Sequence, residues 1–145
     1  MLNILPSDRS PVAGVIDPDA LSTGTYTTDW INMEDFANLM AVIQAGTLGS
    51  SATLDAKIVE AEDGSGTNSQ DLTDKAITQL TEADSDSDKQ AVINVRADEL
   101  SAGYTHVQVS MTVGTASSDA AAIALGFDAR FEPEDQASSV DEVVS

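Results

Sequence analysis

From Thr25 onward, short apolar runs alternate with clusters of Gly, Ser, Asp and Asn, at roughly the 8–12-residue spacing of sandwiches and barrels. Helical periodicity is weak almost everywhere. Asn38 to Gly46 (NLMAVIQAG) places Leu39, Ala41, Ile43 and Ala45 on one face and Met40 and Val42 on the other, which predicts a central strand buried on both sides. In TLDAKIVEAED, Leu54, Ala56 and Ile58 alternate with Asp55, Lys57 and Val59, and DGSGTNS follows as a turn, so a half-buried strand runs into an exposed loop. Ala91, Ile93 and Val95 alternate with Val92, Asn94 and Arg96. The clearest strand is YTHVQVSMTV, which sets Val107, Val109, Met111 and Val113 against His106, Gln108, Ser110 and Thr112. AAAIALGFDARF puts Ala121, Ile123, Leu125 and Phe127 on one side. Thr115 to Asp119 is a connection of hairpin length, so these last two strands are expected to pair antiparallel.

Weaker strand signals near Tyr26 to Met33 and Ala76 to Leu80 bring the expected total to seven or eight, with a helical turn at Met33 to Ala37 capped by Asn32. The expected fold class is therefore all-β, an antiparallel β-sandwich. Residues 1–20 carry Pro6, Pro11 and Pro18, each of which removes a backbone donor, and are read as an extended N-terminal arm. Residues 21–131 form the sandwich domain. Residues 132–145 (EPEDQASSVDEVVS) hold five acids and no base and are read as a flexible acidic tail.

Composition narrows the function. A chain of 145 residues fits one domain, and 41% apolar content with only 4% aromatics predicts a thin core of small residues rather than a deep ligand pocket. The formal charge of −19 repels phosphate backbones and anionic bilayers, so neither nucleic acid nor a membrane is expected as a partner. No cysteine is present, which excludes disulfides, thiolate metal sites and cysteine nucleophiles. The N-terminus lacks a basic segment followed by an apolar one, and the chain reads as soluble and made in the cytoplasm.

Candidate chemistry is sparse. Asp84, Asp86 and Asp88 alternate as Ca²⁺ ligands do, but Lys89 stands where an EF-hand loop has Gly and Val95 where it has its final Glu, so a solvated loop is the expectation. Glu60, Glu62 and Asp63 form a second acidic loop of the same kind. His106 lies on the polar side of its strand with no cysteine to activate and no Gly-x-Ser-x-Gly elbow in the chain. Trp30 is read as a core anchor ahead of an interface residue. Arg130, one of few cations, is expected to pair with Asp128. No catalytic, cofactor-binding or metal-binding residue is assigned, and no enzymatic activity is expected.

The segments AVIQAGTLGSSATLDAKIVEAEDGSGTNSQDL, KAITQLTEADSDSDKQAVINVRADEL and YTHVQVSMTVGTASSDAAAIALGFDARF resemble a family of small proteins from the head-gene clusters of tailed phages and prophages. The likeness spans about residues 26–131 and includes Gly46-Thr47, Gln90 to Asn94 and Gly126 to Arg130. It implies a capsid decoration, or cement, protein: a β-sandwich or jelly roll on the outer surface of the virion. Its implied partner is the major capsid protein, whose subunits it would bridge, and its implied state is a homo-oligomer, with a trimer favoured. Contacts are expected from the arm and one sandwich edge, with the loops around Asp63 and Asp86 facing solvent. Another virion component (neck, tail or head fibre) and a carbohydrate-binding module using Trp30, Tyr26 and Tyr104 are the alternatives.

Overall fold

The computed structural model describes residues 4–131 and 134–145. The first three residues of the expected arm and the first two of the expected tail lie outside them. Sheet A runs in the order β1 (Val12–Leu21), β10 (Ser118–Ala129), β4 (Phe36–Ala45), β8 (Gln90–Arg96). Sheet B runs β2 (Gly24–Thr27), β9 (His106–Gly114), β5 (Thr53–Ala61), β6 (Gln70–Ala76), with β3 (Ile31–Asn32) on β9 and β7 (Leu80–Thr81) on β5. Every pairing is antiparallel. The chain crosses between the sheets from β1 to β2, β3 to β4, β4 to β5, β7 to β8, β8 to β9 and β9 to β10. These two strand orders are those of a jelly roll, a sandwich of two interlocked Greek keys.

Alternation decides which side chains meet between the sheets. Leu39, Ala41 and Ile43 of β4 and Ile93 and Val95 of β8 face Leu54, Ala56 and Ile58 of β5 and Val107, Val109, Met111 and Val113 of β9, all buried. Each larger aliphatic among them contributes roughly 1.5–3 kcal/mol through removal from water. The core is built of small and medium residues, with Phe36 the one aromatic ring buried in it among the described residues.

Several expectations are corrected. The N-terminal arm is largely a strand: β1 pairs with β10 from Val12 to Leu21, and Pro18 is accommodated where the register shifts between Ile16 and Asp19. Ahead of it, Pro6 opens a single helical turn, α1 (Pro6–Arg9), where its missing N–H costs nothing. The tail is tied down at Gln136 and Ala137, because Ala137 N donates to Val12 O at 2.7 Å and Val12 N donates to Gln136 Oε1 at 2.8 Å. The last two long strands do not pair with each other. β9 already holds β5 and β2/β3, β10 holds β4 and β1, and the connection between them crosses the sandwich. The strand expected at Ala76 to Leu80 is replaced by β6 upstream and β7 downstream. The turn at Met33 to Asp35 is not helical, since Asn32 Oδ1 accepts from Glu34 N and β4 begins at Phe36.

β10 also turns its small side inward. Ala120, Ala122 and Ala124 are 4%, 3% and 0% exposed, and Gly126 lies beneath the ring of Phe36. A Cβ on Gly126 would sit 2.5 Å from Phe36 Cδ1 and 2.7 Å from Cζ. Gly126→Ala should therefore cost about 1–3 kcal/mol by overpacking. Thermal denaturation checks this, with a melting temperature lowered by roughly 3–10 °C expected; an unchanged midpoint would mean that the ring yields freely.

Candidate interaction surface

Because β10 buries its alanines, its bulky residues point out of the sandwich. Val15 of β1 pairs with Ile123, Ile123 with Val42, and Val42 with Val92, so one apolar row crosses all four strands on the outer face of sheet A. Leu125 and Met40 form a second row that ends at Asn94, and Phe127 begins a third beside Asn38 and Arg96. Most of these side chains are half-buried by one another, while Val92 is 53% exposed. The outer face of sheet B differs: Thr25, Thr112 and Asp55 form one row, and Thr27, Ser110 and Lys57 the next. Lys57 is paired there with Asp71 at 2.7 Å. One apolar row crossing a whole sheet face, opposite a hydroxyl-rich and charged face, is a pattern found in surfaces that dock another protein.

Next to the apolar rows, the sheet A face ends in a groove of about 470 Å³ between β1, β10 and β4, lined by Pro18, Asp19, Gln44, Asp88, Gln90 and Asp119. Its frame is fixed by backbone bonds, with Asp88 N donating to Gly46 O at 3.0 Å and Gly46 N to Asp119 O at 2.7 Å.

The acidic loops are organised as turns. Asp86 Oδ2 accepts from Thr81 N at 3.0 Å and Oδ1 lies 3.2 Å from Lys89 Nζ; the Thr81 amide and the Lys89 ammonium hold its carboxyl below the usual range. Asp84 Oδ2 accepts from Thr81 Oγ1 at 2.7 Å. Asp63 takes the Thr67 hydroxyl and the Thr67 and Ser65 amides, which lower its pKa in that order. Among the described residues no three His, Cys, Asp or Glu side chains converge on a common point.

No known family matches the sequence, and no curated protein is similar to it. Among solved structures, a chain described as "Structure of infectious bursal disease virus Gx strain" is similar to it at 13% identity and a TM-score of 0.43, over 86% of this chain and 34% of that one. The chain thus spans about a third of that neighbour's length.

The remaining sequence candidates fall in separate places. His106 Nδ1 lies 2.8 Å from Thr105 Oγ1, whose own proton goes to Glu62 O; this assigns the ring proton to Nδ1 and leaves Nε2 beside Gly64. Trp30 is not in the core as expected. It is half-buried against Gly66, whose positive φ of 80° lets the loop lie flat on the indole. Tyr104 Oη donates to Asn68 O and Tyr26 Oη to Ser22 O. Arg130 has no ion-pair partner among the described residues, and Asp128 instead accepts from Asn38 Nδ2 at 2.7 Å. No helix among the described residues is long and apolar enough to cross a membrane.

Glu60 was hidden within the second acidic string. It is 1% exposed, and its carboxylate accepts from Ser101 N at 2.8 Å, from Ser101 Oγ, and from Gln70 Nε2 at 2.7 Å. Burial pushes its carboxyl up, but the Ser101 hydroxyl, Gln70 amide and Ser101 backbone bonds outweigh that and leave its pKa below the ordinary value. It therefore fastens the β8–β9 connection to β5 and β6. The period-2 alternation puts Glu60 on the inward side with Ile58 and Ala56; Glu62 shares that parity but lies just past the end of β5 and is exposed.

Proposed function

We propose that this chain is a non-enzymatic structural component of a virion: a decoration protein on the outer surface of a tailed-phage capsid that bridges major capsid protein subunits, acting as a homotrimer. The observation that carries this reading is the apolar face spanning every strand of sheet A, backed by a polar sheet B suited to solvent. The likeness of residues 26–131 to head-cluster proteins supports the same reading. The contact region moves accordingly from an N-terminal arm to a sheet face, because residues 12–21 are engaged in sheet A. The net charge of −19 suits an exterior position, away from packaged nucleic acid. Rigid oligomers gain further, since each contact after the first is effectively intramolecular.

Quantifying the protein in purified particles tests this. A copy number on the scale of the capsid lattice is expected, and one on the scale of a single connector ring would point to a neck or tail component instead. Sedimentation of the free protein checks the oligomer, with a trimer expected and a monomer at assay concentration counting against it.

A further inference from the structure

The two ends of the sheet A face differ in charge. At the end where β1 and β10 meet the start of β8, Asp19, Asp88 and Asp119 surround the groove, all exposed, and none takes part in a salt bridge among the described residues. No cation lines that groove; neighbouring Lys89 turns its Nζ to Asp86. The centre of the face is uncharged. We infer that the outer face of sheet A docks a protein surface of complementary polarity, apolar where it meets Val42 and Ile123 and bearing lysine or arginine where it meets Asp19, Asp88 and Asp119.

A second copy of this chain fits poorly. At the far end of the face Arg96 is already paired with Asp98 at 3.1 Å. Two chains at −19 each also repel one another. A cationic partner would instead be attracted from a distance and oriented, since the acidic end marks which way round it binds. Pro18 in the groove wall has no N–H to offer, Gln44 presents its side-chain amide there, and Gln90 Nε2 donates to Asp88 O at 3.1 Å. The carboxylates are too dispersed to converge on a single metal ion, which suits several cations spread along a protein segment.

This inference rests on the docking role proposed above, and the experiment separates the two. One arm measures association of the full chain with purified particles across a salt series, for the wild type and for the triple variant Asp19→Asn, Asp88→Asn, Asp119→Asn. The wild type should weaken steeply with salt, and the variant should bind about tenfold or more weaker at low salt with a flatter salt dependence. Equal affinity and equal salt slope would overturn the inference while leaving the decoration role standing. The second arm needs no particle: an alternating valine–arginine peptide is titrated into the labelled full chain while amide shifts are followed. Shifts at Gln44, Gln90 and Ala121 are expected with that peptide, and not with its valine–glutamine counterpart or in the triple variant. An equal response to both peptides, or face-to-face dimers of the wild type in sedimentation, would overturn it. A specific peptide response without any particle binding would retain the inference and sink the decoration role.

Discussion

Val42→Asp should abolish particle association while leaving the fold intact. Val42 lies at the middle of the apolar row, between Ile123 on β10 and Val92 on β8, so a carboxylate there would be desolvated and unpaired in any complex through this face. An uncompensated charge at such a position costs about 2–5 kcal/mol in binding, equivalent to a loss of roughly 30-fold or more. In the free protein the new carboxylate can reach water at the half-buried surface, so stability should change by about 1 kcal/mol or less. Thr112→Lys, which adds a charge to the outer face of sheet B beside Asp55, is the control and should bind like the wild type. Particle-binding assays with circular dichroism on the same preparations check both variants.

Glu60→Ala should be among the most destabilising single changes in the chain. It removes the acceptor for three donors and leaves a gap beneath the β8–β9 connection, so a loss of about 2–4 kcal/mol is expected, or roughly 5–15 °C in melting temperature. Glu60→Gln keeps the shape but turns an N–H toward a donor, and should cost about half as much. The wild type carries a pH signature of the same residue. Because the folded-state pKa lies below the ordinary value of 4.5, the unfolded chain binds the proton more readily. The stabilisation is thus fully present above that value and is lost as the pH falls through the lower, folded-state pKa. Denaturant unfolding of wild type and Glu60→Gln at neutral pH and at progressively acidic pH should show the gap between them closing; a constant gap would mean that the carboxylate's charge contributes nothing.

The strands whose alternation matches burial were legible: β4, β5, β8 and β9 lie where the period of two put them, and the all-β sandwich followed from those four. β1 was obscured because Pro18 marks a break in ordinary strands, yet an edge strand with a register shift tolerates it. β6 buries only Leu72 among seven residues, so no alternation announces it. The pairing of β9 with β10 was misjudged because a short connection can span the two layers of a sandwich as readily as two neighbouring strands. The docking face was the hardest feature to read. Ile123, Leu125 and Phe127 are what a core strand presents, and only the close approach of Phe36 to Gly126 explains why the alanine side is the inward one. Met40 and Val42 suggested a strand covered on both faces; within the chain it is covered on one, and in the proposed role a partner supplies the second cover.

That second cover is what a reconstruction of the intact particle would reveal. The account predicts the chain on the outer capsid surface with the face carrying Val42, Val92 and Ile123 against the major capsid protein and sheet B toward solvent. A particle in which sheet B or the β1 edge makes the contact, with the Val42 row open to water, would contradict it.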